Sequence, residues 1–84
     1  MKTCETLEKT FHQKWVRYTG DFYEFLNEGD HLFLVTAIIS DGEDTYKFAL
    51  RRDDWSTSNP AWYTFDLDLA GLNMITDDLD VHEV

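Results

Sequence analysis

The residue types that carry most enzyme chemistry occur in this sequence, but they are scattered along it. His12, His31 and His82 are far apart, and no serine lies in the Gly-x-Ser-x-Gly pattern of a nucleophile elbow. The four glycines do not cluster into a phosphate-binding loop. Cys4 begins a predicted helix, where the helix dipole favours a thiolate, but it also fits a small buried residue in an apolar stripe. The sequence therefore predicts a protein that is not an enzyme.

Two acidic segments offer the oxygen ligands that hard metal ions prefer. In the segment 77–83, Asp78, Asp80 and His82 would share one face if the backbone were a strand. Neither this segment nor the turn 40–44 has the glycine position and ligand spacing of an EF-hand loop. We therefore predict no metal and no cofactor.

Charge is the strongest functional signal in the sequence. The formal net charge of the 84 residues is −10, and it is unevenly distributed. Residues 1–18 carry four basic and two acidic side chains (+2), whereas residues 19–84 carry three basic and fifteen acidic ones (−12). Such a field repels nucleic acid and anionic membranes and attracts basic surfaces. The acidic residues predicted to face a partner are Asp41, Glu43, Asp44, Asp53, Asp54, Asp66, Asp68, Asp77, Asp78 and Asp80.

Some of these carboxylates have a spacing that suits mimicry of nucleic acid. Residues i and i+2 of a strand are roughly 6–7 Å apart, a distance similar to that between neighbouring backbone phosphates. The pairs Asp66/Asp68 and Asp78/Asp80 would imitate a phosphate row if their segments are extended. The alternative is a coat that maintains solubility or protects sheet edges, for which a net charge of magnitude ~2–8 suffices.

Two tryptophans are candidate apolar anchors beside the acidic residues. Trp55 is surrounded by charged and polar residues in a predicted loop, which fits an interface anchor, although it could instead fold back over the end of the sheet. Trp62 lies opposite the Tyr63 side of a predicted strand. Base stacking would require a basic groove around these rings, so direct binding of DNA or RNA is not expected.

Size and composition predict one compact domain spanning residues 1–84. Six Phe, four Tyr and three Trp supply enough apolar surface for a core in a chain of this length. The single cysteine excludes an intramolecular disulfide. Because the sequence shows no secretory signal and no apolar run of about 20 residues, we expect a cytoplasmic protein without a membrane anchor.

A β-hairpin over residues 31–52 is the clearest structural prediction. Residues 32–39 are almost entirely apolar, residues 40–44 form a polar turn with a glycine, and residues 45–52 alternate strictly. A third alternating strand is predicted over residues 61–67, after a loop over residues 53–60.

The N-terminal region is less decisive. Apolar residues at three- and four-residue steps predict a helix from about Cys4 to Tyr18, although residues 15–18 are also strand-like. Residues 21–29 predict a two-turn helix with Asp21 and Glu24 as a capping box and Gly29 at its end. The rival interpretation is a strand after a hairpin turn at residues 19–20.

The C-terminal third leaves more alternatives open. Residues 68–71 are predicted to break the chain, 72–75 to form a strand or enter a short helix, and 76–84 to form an edge strand or drape over the surface. The architecture that follows is α+β: an antiparallel sheet of three to five strands built on the 31–52 hairpin, with the N-terminal helix on one face. The alternative is an all-β meander.

These features favour a non-enzymatic inhibitor that binds a basic, nucleic-acid-binding groove of a protein partner. Its size, acidity and lack of catalytic residues resemble the loose class of small inhibitors of nucleic-acid machinery, such as phage anti-CRISPR and anti-restriction proteins and immunity proteins against nucleases. This resemblance rests on bulk properties and not on a motif. The alternative is a small adaptor or assembly subunit that binds a protein through its aromatic surface.

Overall fold

In the computed structural model, which describes residues 1–55 and 62–82, a five-stranded antiparallel sheet carries two helices on one face. This confirms the predicted α+β class and excludes the all-β meander. The strands lie in the order β4-β3-β2-β1-β5. The elements in chain order are α1 (Cys4–Phe11), β1 (Trp15–Tyr18), β2 (Phe33–Ser40), β3 (Tyr46–Arg52), β4 (Tyr63–Leu67), α2 (Leu69–Asp77) and β5 (Leu79–Val81).

The predicted hairpin is the centre of the sheet. β2 pairs with β3 from Phe33 opposite Arg52 to Ser40 opposite Tyr46, with a bulge at Thr36, whose hydroxyl donates to the carbonyl of Ala49. The third predicted strand is confirmed as β4, which pairs with β3. Part of the predicted loop 53–60, the first residue of the predicted strand 61–67 and the end of the predicted tail lie outside the described residues.

The N-terminal helix is shorter than predicted, and its second half is a strand. α1 ends at Phe11, and Gln13 adopts a left-handed backbone (φ 61°) that turns the chain back toward β2. Its amide donates to the carbonyl of Val35. β1 then pairs with both β2 and β5. A helix to Tyr18 was wrong because the strand ladder buries Val16 and Tyr18 almost completely, which overrides the helical spacing.

The segment before β2 forms two short 3₁₀ turns, Glu24–Leu26 and Glu28–Asp30, rather than a two-turn α-helix or a strand. The capping box predicted at Asp21 is absent, since the first turn begins at Tyr23 without a side-chain cap. Gly29 does adopt a left-handed conformation (φ 76°), which favours glycine. The segment is held to the sheet by Leu26, which is buried, and by Tyr23 and Phe25, whose rings contact aromatic rings of β4.

The break predicted at residues 68–71 is instead the beginning of α2. Asp68 is the N-cap, and its carboxylate accepts the amide of Gly71 at 2.7 Å. The helical alternative for residues 72–75 is confirmed, because they lie within α2, which buries Leu72 and Ile75 completely. The tail then forms the edge strand β5 beside β1.

Both helices cover the same face of the sheet, which we call the core face. Leu7 and Phe11 of α1 and Leu72 and Ile75 of α2 join the inward side chains of the sheet in one buried cluster. We call the opposite side of the sheet the open face. No described helix packs on the open face. Among the described residues, no helix is long and apolar enough to cross a membrane.

Candidate protein-binding surface

The structure collects acidic side chains at one end of the sheet, where the β2–β3 turn lies beside the β4–α2 junction. Lys47 joins the two segments, because its Nζ lies 3.7 Å from Asp41 and 2.7 Å from Asp66. A second link runs from the Asp44 carboxylate to the amide of Leu69 at 3.1 Å. We call this region the acidic end; its carboxylates are Asp41, Glu43, Asp44, Asp66 and Asp68.

The carboxylates of the acidic end divide into two groups. Asp44 and Asp68 accept amide hydrogens from the first turn of α2, where the helix dipole favours negative charge. Asp41, Glu43 and Asp66 are exposed and make no such contact with a helix. The hydrogen bond to Asp66 raises the pKa of Lys47, which is the only described cation that contacts the acidic end. The acidic end therefore keeps a surplus of negative charge.

The acidic residues at the exit of the hairpin are bound by neighbouring groups. The Asp53 carboxylate accepts hydrogen bonds from the amide of Leu32 at 3.1 Å and from Nδ1 of His31 at 2.8 Å. The Asp54 carboxylate accepts two hydrogen bonds from the guanidinium of Arg52. Burial acts to raise the pKa of Asp53, but these hydrogen bonds outweigh it and hold the pKa below its ordinary value. The hydrogen bond from Arg52 likewise lowers the pKa of Asp54. These two carboxylates therefore stabilise the end of the hairpin.

His31, Asp53 and Asp54 are also the one described group in which three possible metal ligands lie within 4.8 Å of one another. The guanidinium of Arg52 forms an ion pair with the Asp54 carboxylate, and its positive charge would repel a metal ion at this position. Sequence reasoning missed this cluster, although the hairpin register, with Phe33 opposite Arg52, places residues 31 and 32 beside residues 53 and 54.

The acidic residues near the C-terminus are separated by the end of α2. Asp77 is exposed in the last turn of α2, and Asp78 is the C-cap with a non-extended backbone (ψ 14°). Asp80 lies on β5 opposite Arg17. The extended backbone that a phosphate-like row requires is therefore absent at Asp78, whereas Asp68 (ψ 176°) does continue the extended backbone of Asp66.

The two candidate tryptophans lie on opposite faces of the sheet. Trp55 is half-buried, with its ring centroid 4.9 Å from that of Tyr63 and 5.1 Å from the guanidinium carbon of Arg52. This geometry matches the alternative in which Trp55 covers the end of the sheet. Trp62 immediately precedes β4 on the open face and is 47% exposed.

An exposed aromatic pair was missed by sequence reasoning. Phe22 is 71% exposed and Phe25 is 43% exposed, although both lie in the segment that packs on the core face. The Phe25 ring contacts that of Tyr63 (centroids 5.1 Å apart), and Phe22 contacts Tyr23 (4.9 Å). The aromatic richness of residues 21–29 was the available signal, but their exposure depends on the tertiary packing.

Cys4 is the first residue of α1, but its surroundings do not favour a thiolate. It is half-buried, and burial together with the nearby Glu8 carboxylate raises its pKa, opposite to the lowered value considered for a helix start. The thiol therefore stays protonated at neutral pH.

In comparisons with known proteins, no family model, curated protein or solved structure matches this chain.

Proposed function

We propose that this protein is a non-enzymatic inhibitor whose acidic end occupies a basic, nucleic-acid-binding groove of a protein partner in the cytoplasm. The partner would be a nucleic-acid-handling enzyme or complex, as expected for phage anti-CRISPR or anti-restriction proteins or for nuclease immunity proteins. The observation that supports this proposal is the convergence of carboxylates from two chain segments on one end of the sheet, where Lys47 is the one cation of the described residues that contacts them.

Rigid support of the acidic end strengthens the proposal. Because Asp44 and Asp68 both bind the first turn of α2, the two loops are held in a defined geometry before any partner arrives. Preorganised charges lose little conformational freedom on binding. The extended backbone from Asp66 to Asp68 also retains the spacing of roughly 6–7 Å that suits phosphate mimicry.

The test compares the natural chain with two variants of equal charge. The first variant, Asp41→Asn/Glu43→Gln/Asp66→Asn, neutralises the carboxylates of the acidic end that do not contact α2 and leaves the α2 contacts in place. The matched control, Asp21→Asn/Glu24→Gln/Glu28→Gln, neutralises three exposed residues elsewhere. Both changes reduce the formal net charge from −10 to −7.

Each protein is immobilised and exposed to a bacterial lysate freed of nucleic acid, and the retained proteins are identified by mass spectrometry. We expect the natural chain and the control to retain the same nucleic-acid-binding protein, and short duplex DNA or RNA to elute it. Retention should weaken as the salt concentration rises, because the distance over which exposed charges attract each other, the Debye length, decreases to about 3 Å at 1 M salt. Equal retention by the acidic-end variant, or no competition by nucleic acid, would contradict the proposal.

The exposed aromatic pair favours a second candidate, a small adaptor that binds a protein through Phe22 and Phe25. Phe22 and Phe25 are exposed and their rings both contact that of Tyr23, and exposed apolar side chains grouped in this way suit a protein interface. In the same assay, this candidate predicts salt-tolerant retention that is lost in Phe22→Ala/Phe25→Ala and unchanged in the acidic-end variant.

A further inference from the structure

The open face carries a row of large side chains that crosses four strands. The register pairs Trp15 of β1 with Leu34 of β2, and Leu34 with Arg51 of β3. Trp62 follows, because it precedes the last registered pair of β3 and β4, Leu50 opposite Tyr63. Neighbouring strands are about 4.8 Å apart, so the row spans roughly 14 Å from Trp15 to Trp62. We call these four residues the open-face row.

Arg51 has no partner within the described part of the chain. Its Nε is shielded from solvent and makes no hydrogen bond. The other two arginines are paired with carboxylates, Arg17 with Asp30 and Arg52 with Asp54. An unpaired guanidinium is unexpected in a chain with a net charge of −10. A buried donor without an acceptor costs free energy. Arg51 as a whole is only partly buried, so its charge can still attract an acceptor from outside.

Charge on the rest of the open face is balanced across the strands. Arg17 lies opposite Asp80 at one end, and Lys47 lies opposite Asp66 at the other. Arg51 lies between Leu34 and Trp62 and has no acidic residue opposite it. Among the described residues, Arg51 is therefore the one positive charge of the open face that has no carboxylate opposite it, and its neighbours across the strands, Leu34 and Trp62, are apolar.

We propose that the open-face row binds a protein segment that places one carboxylate on Arg51 between apolar side chains that contact Trp15 and Trp62. The planar guanidinium fork suits a carboxylate, which can accept two parallel hydrogen bonds. Tryptophan and arginine dominate the energetic centres of protein interfaces. A nucleic-acid occupant is disfavoured, because Asp66, Asp80 and the rest of the acidic surface repel a polyanion. This proposal does not depend on the function proposed for the acidic end.

The probe is a library of random twelve-residue peptides displayed on phage and selected on the natural chain. Selected sequences are synthesised, and their affinities are measured by calorimetry. We expect enrichment of peptides with Asp or Glu next to apolar residues. Arg51→Met keeps the aliphatic stem but removes the donors, and it should weaken binding at least tenfold; Trp62→Ala should also weaken binding.

Arg17→Met is the matched control, because Arg17 shares the open face but already binds Asp30. This control and the acidic-end variant should bind the peptides within about twofold of the natural chain. Circular dichroism verifies that each variant is folded, and Arg51→Lys, which keeps the charge without the fork, should bind with intermediate affinity.

Several results would overturn the proposal. These are equal binding by Arg51→Met, selection of basic peptides only, or no peptide whose binding depends on Arg51. Sedimentation that shows a dimer dissociated by Arg51→Met would make a second copy the occupant instead. Arg51-dependent binding of a short single-stranded oligonucleotide would assign the face to nucleic acid.

Discussion

Carboxylates at the two ends of α2 should have opposite effects on stability. Asp68 is the N-cap and accepts the Gly71 amide, whereas Asp77 lies in the last turn, which contains no basic residue. Negative charge is favourable at a helix N-terminus and unfavourable at its C-terminus. The perturbation is therefore a set of three substitutions, Asp68→Ala, Asp68→Asn and Asp77→Asn.

The expected magnitudes follow from the contacts at each end. Replacing an N-cap by alanine lowers the free energy of unfolding by about 1 kcal/mol, within a range of roughly 0.5–2 kcal/mol. Because Asp44 still accepts the Leu69 amide, we expect the lower half of that range for Asp68→Ala. Asp68→Asn keeps an acceptor and should lose only the charge, about 0.3–1 kcal/mol. Asp77→Asn should gain a similar amount.

Urea unfolding followed by circular dichroism at pH 7 measures these differences, and thermal unfolding gives a second measure. In a domain of this size, 1 kcal/mol corresponds to about 4–8 °C in Tm. At about 1 M NaCl the effects of Asp68→Asn and Asp77→Asn should shrink, because they depend on charge. A decrease in stability on Asp77→Asn, or no change on Asp68→Ala, would refute this account of α2.

Three further outcomes follow from burial and ionisation. The folded pKa of Asp53 lies below its ordinary value, so its contribution to stability is present above about pH 4 and is lost as the pH falls through the folded pKa. The Asp53→Asn variant lacks this contribution at every pH. Its urea midpoint should therefore fall less between pH 6 and pH 3 than that of the natural chain. Phe48→Ala should lower the free energy of unfolding by about 3–5 kcal/mol, whereas Phe22→Ala should change it by less than about 0.5 kcal/mol; similar losses from the two would contradict the described burial. Cys4 should react with iodoacetamide at pH 7 more slowly than free cysteine, since burial and Glu8 raise its pKa; a faster reaction would restore the reactive-thiol hypothesis.

The spacing of apolar and polar residues predicted the secondary structure correctly where it was compatible with only one kind of element. The central hairpin consists of a short apolar run, a glycine-containing turn and a segment of alternating apolar and polar residues. This two-residue alternation fits a strand and does not fit a helix. It was therefore predicted within two residues at each end. Residues 15–18 carry both helical and strand-like spacing, and only the partners β2 and β5 decide between them. The cap of α2 was missed because Asp68 resembles a turn residue until the helix after it is packed on the core.

The surface of the protein also has properties that follow from the sequence alone and properties that depend on the tertiary structure. The sequence alone determined the net charge of −10 and its concentration after residue 18, because these depend only on which residues are present and in what order. The tertiary structure decided which carboxylates bind α2 or a cation, and that Arg51 has apolar neighbours and no carboxylate partner among the described residues. The physical reason is that strand register brings together side chains far apart in the chain, and hydrogen bonding and burial are properties of those pairs rather than of single residues.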